Sequence, residues 1–471
     1  MLTKETLELL LNNYSIYKID DINADYINPA DFYNVLNRLV ADDSVELAGI
    51  SIGGKKIFKI KRGQGKTKIL IWTQMHGDEP TATAALLDLL NFLNRQDDIN
   101  NLKKKIKENL TISIIPMLNP DGAELFTREN LIGIDINRDA LRLQSPEAKI
   151  LMNEFENFKP DFAFNMHDQN RYYTIENSDK LPAVSFLAPP FDFNCSLNPG
   201  RIKSMKLIAE LNRLLSFLNA GLTARYKDDH EPRSFGDYFA GRGASVILIE
   251  SGNTLGPEGK EMIRKLNFLL LLAAFDAIAD NSYMNYDEKF YYNIPENKER
   301  MYDLILRNLL IEKNNHTYTV DIGIKRTKKF DINKKRFYYI SSIEEIGDLS
   351  TYYAWENYNL DGFSLEPLKY YTYKNAATPS NTAIAELLRN GYGFIVGELP
   401  SDHSAYTELP VNIAKSYKSQ GEPAIGEPAN FRLSNEENEY YILINGFIVS
   451  GNDLNCLPDL SDKIKNALVY D

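Results

Sequence analysis

Residues 68–95 read KILIWTQMHGDEPTATAALLDLLNFLNR, and this stretch decides the fold class. Lys68 to Thr73 is a continuous apolar run, which is typical of a strand buried on both faces. Pro80 stands where a helix can begin, and residues 81–95 have strongly helical composition. A buried strand that leads through a short polar loop into a helix is the repeating unit of an α/β protein.

The flanking sequence repeats this alternation. A hairpin is predicted around Gly53-Gly54, and the first 45 residues are predicted to form one or two helices. Further buried strands are predicted at 110–117, 161–166, 183–187 and 245–249, and helices at 145–158, 203–218 and 259–279. The alternation predicts an α/β sandwich with a largely buried sheet.

Composition changes at residues 281–300, which are polar and aromatic with little periodicity. We therefore predict a first domain at 1–285 with a helical extension at 1–45, a linker at 286–300, and a second domain at 301–471. The second domain is expected to be smaller and α+β or β-rich, with strands at 317–324, 336–341 and 440–449 and a helix at 381–390. The sequence predicts no role for this second domain.

The charge balance narrows the possible partners. The chain has 471 residues with 53 Lys plus Arg and 65 Asp plus Glu, so its formal net charge is −12. A binder of nucleic acid or anionic membranes needs a basic surface, so neither partner is expected. The N-terminal residues do not resemble a signal peptide and no apolar stretch is long enough to span a membrane, so a cytoplasmic location is expected.

Histidine and cysteine are scarce. The chain contains five His and two widely separated Cys, Cys195 and Cys456, which cannot form a CxxC metal knuckle. Any metal site must therefore draw on few residues. His76 and Glu79 follow a buried strand at a helix entrance, and His167 ends another apolar strand. Two His and one Glu are a standard ligand set for catalytic zinc, although a polar turn with a loop histidine is the alternative for the first pair.

Other candidate residues follow the remaining strands. Residues 119–122 read NPDG and are predicted to form a turn after the strand at 110–117. Arg128 and Arg138 follow, and arginines beside a metal cleft can bind a carboxylate through two hydrogen bonds. Glu250 ends the apolar run at 245–249. A carboxylate pointing into a cleft there can act as a general base, and a solvated glutamate is the alternative.

These residues, taken in order, carry a family resemblance. HGDE at 76–79, NPDG at 119–122, Arg128, DINR at 135–138, His167 and Glu250 resemble the funnelin-type zinc carboxypeptidases, the carboxypeptidase A-like metallopeptidases. The resemblance spans about residues 45–280. The segments MHDQNRYY, PAVSFLAPP and GDYF are most similar to a bacterial subgroup with an extra C-terminal domain. The family resemblance implies a three-layer sandwich around a mixed, mostly parallel central sheet.

The resemblance implies one zinc ion per chain. His76, Glu79 and His167 would be the ligands, and Asp135 would accept a hydrogen bond from a ligating imidazole and fix its tautomer. Arg128 would polarise the scissile carbonyl and stabilise the oxyanion.

The remaining roles concern the substrate and the attacking water. Asn137 and Arg138 would bind the terminal carboxylate of the substrate, and Glu250 would deprotonate the water. The family also places a tyrosine on a loop before the catalytic glutamate. Tyr226 is the first candidate for that tyrosine, and Tyr238 is the second.

The function implied is a zinc metallocarboxypeptidase, which hydrolyses the C-terminal peptide bond of peptides. Two alternatives remain open. One is a zinc amidase or deacylase that acts on N-acyl amino acids or cell-wall peptides. The other is a catalytically inactive binding protein. Under either enzymatic interpretation the partner is a peptide or small amide with a free carboxylate.

Overall fold

A computed structural model describes residues 2–40, 44–217, 223–254, 259–372, 379–397, 404–416, 421–456 and 460–470. The chain divides into two compact units, Met1–Glu299 and Arg300–Asp471. Within the described ranges, none of the helices combines the length and the apolar character needed to cross a bilayer.

The first unit is rich in both helices and strands. Its α-helices are α1 Lys4–Asn12, α2 Tyr14–Tyr17, α3 Pro29–Leu39, α4 Thr81–Asn94, α5 Asn100–Asn109, α6 Pro120–Leu125, α7 Pro146–Phe158, α8 Pro199–Phe217, α9 Phe235–Gly241, α10 Lys260–Ala279 and α11 Lys289–Tyr292. Two 3₁₀ helices lie at Ile136–Arg138 and Ser282–Asn285. Its strands are β1 Val45–Ile50, β2 Lys56–Gly63, β3 Thr67–Thr73, β4 Leu110–Ile115, β5 Phe162–Asp168, β6 Tyr173–Ile175, β7 Val184–Leu187, β8 Thr223–Arg225, β9 Ser245–Ser251 and β10 Asn297–Glu299.

Eight of these strands form one mixed sheet in the order β1-β2-β4-β3-β5-β9-β7-β8. The central strands β4, β3, β5 and β9 are parallel to one another, whereas β1, β2 and the β7–β9 pair introduce antiparallel neighbours. The carboxyl ends of β3, β5 and β9 therefore lie along one edge of the sheet, which is where α/β proteins bind ligands.

Helices cover both faces of this sheet because its central strands are apolar on both sides. Ile69 and Ile71 of β3 pack into one buried cluster with α4 and α10, whereas Leu70 and Trp72 pack into a second cluster with α7 and α9. Side chains of a strand alternate between faces, so one continuous apolar run serves both layers. The predicted three-layer sandwich is confirmed.

A buried ion pair attaches the N-terminal helices to the sandwich. Arg264 of α10 donates to both carboxylate oxygens of Asp88 on α4 at 2.7 Å, and neither side chain is exposed to solvent. Arg264 also donates to the carbonyl oxygens of Ile19 and Ile22, and Tyr14 donates to Asp88. The two charged side chains, the Tyr14 hydroxyl and the two carbonyl groups thus all have hydrogen-bond partners in one buried network.

Two local predictions differ from the structure. The NPDG segment is not an isolated turn: Pro120 begins the short helix α6, and the side chain of Asn119 caps it by accepting from the Gly122 N–H at 2.9 Å. Residues 286–299, predicted as a linker, pack within the first unit. Tyr291 of α11 is fully buried there, and β10 pairs with β6. Two buried side chains, Tyr291 and Ile294, anchor that segment without a periodic apolar pattern.

The second unit is β-rich, as predicted. Its strands are β11 Met301–Lys313, β12 His316–Asp331, β13 Arg336–Gly347, β14 Tyr353–Asn359, β15 Ser364–Pro367, β16 Lys369–Thr372, β17 Tyr392–Val396, β18 Tyr406–Thr407, β19 Asn412–Ala414, β20 Phe431–Ser434, β21 Tyr440–Ile444, β22 Phe447–Ser450 and β23 Ala467–Tyr470. Its helices are α12 Asn381–Arg389 and α13 Gly451–Cys456. One sheet has the order β13-β12-β11-β15-β20-β21-β22 with β14 beside β11, and another has the order β16-β17-β19-β23-β18.

Candidate metal centre

Three predicted ligands converge at the carboxyl ends of β3 and β5. In the loop after β3, His76 Nδ1 lies 2.8 Å from Glu79 Oε1. His167 on β5 places its Nδ1 2.7 Å from Glu79 Oε2 and 3.1 Å from His76 Nδ1. All three side chains are buried. Among the described residues, this is the one group of His, Cys, Asp and Glu side chains whose ligand atoms are close enough to share a metal ion.

The donor set fits zinc. Two imidazole nitrogens and one carboxylate are a standard protein ligand set for catalytic zinc, which keeps a fourth position open. Around a tetrahedral zinc with bonds of about 2.1 Å, donor atoms lie about 3.4 Å apart. The observed spacings among His76, Glu79 and His167 are slightly shorter, so small side-chain movements would admit the ion.

Glycine allows the loop that carries His76 to pack closely against α6. A Cβ atom on Gly77 would lie 1.9 Å from the carbonyl carbon of Gly122, so no side chain fits there. Asn119 then joins the neighbouring loops, because its Nδ2 donates to the carbonyl oxygens of Met75 at 3.2 Å and Glu129 at 3.1 Å. The sequence indicated only a turn at Asn119, since both acceptors are backbone groups that a motif does not reveal.

Asp135 connects the candidate ligands to Arg128. Its Oδ1 lies 3.2 Å from His76 Nε2, on the opposite side of the ring from the candidate metal position. Its Oδ2 accepts from Arg128 Nε at 3.1 Å and lies 3.0 Å from Arg128 Nη2. The Nη1 atom of Arg128 lies 3.1 Å from His76 Nδ1 and 3.5 Å from Glu79 Oε1. The guanidinium group is thus held beside the three ligands while the side chain stays 40% exposed.

The surroundings of His76 and His167 shift the pKa values of these two histidines in opposite directions. Burial alone would lower the pKa of His76, but the negative charges of Glu79 and Asp135 outweigh it and raise the pKa to about 9. Burial lowers the pKa of His167, and the charge of Glu79 does not reverse that shift. Burial opposes ionisation of Glu79, yet the neighbouring imidazoles hold its pKa well below the usual range. The two candidate histidine ligands therefore differ in proton affinity, with His76 the more basic.

Asn137 and Arg138, predicted to bind a substrate carboxylate, lie on the 3₁₀ helix directly after Asp135. Asn137 is buried, with its Nδ2 3.5 Å from His167 Nε2 and its Oδ1 accepting from the Phe235 N–H at 3.1 Å. Arg138 is 39% exposed and donates from Nη1 to the carbonyl oxygen of Asn137 at 2.8 Å. The structure therefore brings both residues to the rim of the metal centre.

Glu250, the predicted general base, lies on the strand next to His167. The two residues are register partners on the parallel strands β5 and β9, so their side chains share a face of the sheet. Loss of hydration and the negative charge of Glu79 raise the pKa of Glu250 well above its usual value. A partly exposed carboxylate of unusually high proton affinity thus stands beside the candidate ligands.

The structure distinguishes the two candidate tyrosines. Tyr226 directly follows β8, its hydroxyl lies 3.5 Å from Gln169 Oε1, and its ring packs edge-on against Tyr173 at 5.3 Å. Burial and the negative charge of Glu250 raise the pKa of Tyr226 far above its usual value. Tyr238, on α9, instead accepts a hydrogen bond from Arg242 and packs beside the core. These surroundings favour Tyr226, whose role stays a prediction.

Asp168, which follows His167, points away from the metal centre. It accepts from Thr81 Oγ1 at 2.5 Å and pairs with Lys260 Nζ at 3.3 Å. Of the histidines without a predicted role, His230 contacts Asp237 at 3.1 Å and His316 is exposed. His403 lies outside the described residues.

Comparison with known proteins agrees with the predicted resemblance. Residues 42–179 match the family described as zinc carboxypeptidase, and this range contains all three candidate ligands. The family resemblance predicted from the motifs is therefore confirmed for that part of the chain.

Individual relatives match over short segments. Carboxypeptidase 2 of Trichophyton rubrum is 32% identical over 103 residues, which are 21% of this chain and 19% of that protein. Carboxypeptidase SOL1 of Arabidopsis thaliana is 36% identical over 88 residues, which are 17% of this chain and 18% of that protein. The chain thus spans about a fifth of the length of these curated relatives. A solved metallo-carboxypeptidase from Burkholderia cenocepacia is 19% identical with a TM-score of 0.43, covering 55% of this chain and 70% of that protein.

Proposed function

We propose that this protein is a zinc-dependent metallocarboxypeptidase that removes the C-terminal residue of peptides. The observation that carries the proposal is the convergence of His76, Glu79 and His167 within 4.8 Å of one another. Arg128 lies beside them, and Glu250 lies on the neighbouring strand. The family match over residues 42–179 supports the same reaction.

One zinc ion held by the three ligands would supply Lewis acidity for the scissile carbonyl and lower the pKa of a water molecule to about 7. The protein orients these ligands through further contacts. Asp135 holds the Nε2 side of His76, which leaves Nδ1 facing Glu79 and His167. Such outer contacts fix the ring orientation and the tautomer of a ligating histidine.

The remaining steps are assigned to side chains of this chain. Glu250 takes a proton from the attacking water and passes it to the leaving amine, and its raised pKa makes the ionised carboxylate a stronger base. The Arg128 guanidinium stabilises the negative charge that develops on the carbonyl oxygen. Tyr226, whose pKa the charge of Glu250 helps to raise, would contribute a hydroxyl group near Glu250.

The substrate is anchored by its free carboxylate. Arg138 presents a partly exposed guanidinium group near the metal centre, and Asn137 lies between Arg138 and His167 in the structure. A guanidinium group binds a carboxylate through two parallel hydrogen bonds, which fixes both the position and the direction of the peptide. Peptides with a free C-terminus are therefore the proposed substrates.

The test uses the zinc-loaded full chain and a mixed peptide library with free C-termini. Mass spectrometry should show loss of single C-terminal residues, abolished by a chelator and restored by zinc. A parallel assay on N-acyl amino acids tests the amidase alternative. Cleavage of N-acyl amino acids without loss of any peptide residue would replace the proposal with a deacylase. Failure to bind stoichiometric zinc would instead favour the inactive binding protein.

A further inference from the structure

A carboxylate stands between Arg138 and a second arginine at the rim of the metal centre. Glu231, in the segment between β8 and α9, has its Oε2 3.5 Å from Arg138 Nε. The same Glu231 accepts from Arg233 Nε at 3.0 Å and from Arg233 Nη2 at 2.8 Å. Arg233 thus holds both oxygens of Glu231, and Glu231 in turn contacts Arg138.

The backbone around Glu231 is also fixed. Its N–H donates to Asp237 Oδ1 at 3.0 Å, and its carbonyl oxygen accepts from the Ser234 N–H at 2.9 Å. Ser234 is the N-cap of α9, where its hydroxyl accepts from the Asp237 N–H at 3.3 Å. The hydrogen bonds from Arg233 lower the pKa of Glu231 to about 2, so this carboxylate stays ionised at any working pH. Glu231 is therefore a charged group with a defined position.

Two further contacts join this segment to the residues on either side of Arg138. The Phe235 N–H donates to Asn137 Oδ1 at 3.1 Å, and the Ala140 N–H donates to the carbonyl oxygen of Arg233 at 3.1 Å. Arg138 lies between Asn137 and Ala140 in sequence, and Glu231 lies two residues before Arg233. Two hydrogen bonds therefore tie the two segments together beside the Arg138–Glu231 pair.

The contacts of Arg138 leave part of its guanidinium group available. Nε faces Glu231, and Nη1 donates to the carbonyl oxygen of Asn137. In the described part of the chain, Nη2 of Arg138 is without a hydrogen-bond partner. One N–H of Nη1 and both N–H groups of Nη2 then remain to donate two parallel hydrogen bonds to a carboxylate.

We propose that Glu231 is a positioning residue, which holds the Arg138 guanidinium in the orientation that binds the C-terminal carboxylate of the substrate. This inference rests on the proposed carboxypeptidase function. Arg233 contributes by fixing the carboxylate of Glu231. Because Glu231 acts on substrate binding rather than on the reacting carbonyl, its loss should raise KM and leave kcat nearly unchanged.

The test compares Glu231→Gln and Glu231→Ala with the unmodified enzyme, on the peptide cleaved best in the library. KM should rise roughly 3- to 10-fold with kcat within about 2-fold, and the released amino acid should inhibit more weakly by a similar factor. The matched control is Asp229→Asn, which removes an exposed ion pair with Lys227 from the same segment. That variant should keep the unmodified KM.

A double-mutant cycle shows whether Glu231 acts through Arg138. Adding Glu231→Ala to Arg138→Ala should produce no further rise in KM. An additive effect, an unchanged KM in both Glu231 variants, or a parallel loss of kcat and zinc content would overturn the positioning role. Absence of peptide cleavage by the unmodified enzyme would instead overturn the proposed function, and this inference with it.

Discussion

Asp135→Asn is the most informative single substitution, because Asp135 contacts a candidate ligand and Arg128 at the same time. Its Oδ1 lies 3.2 Å from His76 Nε2, and its Oδ2 accepts from Arg128 Nε at 3.1 Å. The charges of His76 and Arg128 overcome the effect of burial and hold the pKa of Asp135 well below its usual range. The substitution keeps the shape of the side chain and removes its negative charge.

The expected loss follows from that geometry. Removing an outer carboxylate from a ligating histidine typically weakens metal binding about 10- to 100-fold. This range corresponds to about 1.4 to 2.7 kcal/mol, which agrees with the roughly 1.5 to 3 kcal/mol of a hydrogen bond to a charged group. Activity at saturating zinc should also fall, since Arg128 loses the acceptor that holds its Nε and Nη2 atoms.

The assay is a competitive titration of zinc against a chromophoric chelator at pH 7. Asp121→Asn serves as the control, because Asp121 is a buried carboxylate that pairs with Lys55 at 2.9 Å and accepts from the Gly53 N–H, and its contacts in the described part of the chain do not include His76, Glu79 or His167. The control should lose stability but keep zinc affinity. Zinc affinity within 3-fold of the unmodified protein in Asp135→Asn, or an equal loss in both variants, would refute the reasoning.

Three further predictions follow. Glu250→Gln should lower kcat roughly 10²- to 10⁴-fold without loss of zinc, and a loss of bound zinc would show that Glu250 is instead a ligand. Because the pKa of His76 is raised to about 9 and that of His167 is lowered, zinc binding at pH 7 should displace about one proton from the histidine ligands; calorimetry in buffers of different ionisation enthalpy measures proton release, and zinc binding without any release would contradict the assignment. Arg264→Met should destabilise the first unit by about 3 to 5 kcal/mol in urea unfolding, since it leaves Asp88 charged and buried; a loss below about 1 kcal/mol would show that the pair contributes little.

Much of the first unit could be predicted because its strands are short continuous apolar runs. The run at 68–73 lies within β3, and the run at 245–249 lies within β9. Residues 69–72 and 246–249 are apolar at every position because helices cover both sides of the sheet. The segment at 286–299 was harder to predict, since two buried side chains, Tyr291 and Ile294, and a two-stranded pairing hold it in place, and these produce no periodic pattern.

The candidate ligands could be predicted from residue type and position. His76, Glu79 and His167 each follow or end a buried strand, and histidine is rare in this chain. Neither the placement of Asn119 between two loops nor the chain of contacts from Arg233 through Glu231 to Arg138 could be predicted in this way. Those contacts depend on backbone groups and on segments distant in sequence, which only folding brings together.

The sequence by itself determined the layered architecture, since the pattern of buried strands and helices is local and each element carries its own signal. It also singled out His76, Glu79 and His167 as candidate metal ligands, because histidine is scarce and these residues follow or end buried strands. Only the tertiary structure decided the electrostatics of the centre, where burial and unequal carboxylate contacts make one histidine basic and leave the other neutral. It also decided the orientation of the arginines, since a guanidinium group takes its direction from the carboxylates that the fold places beside it.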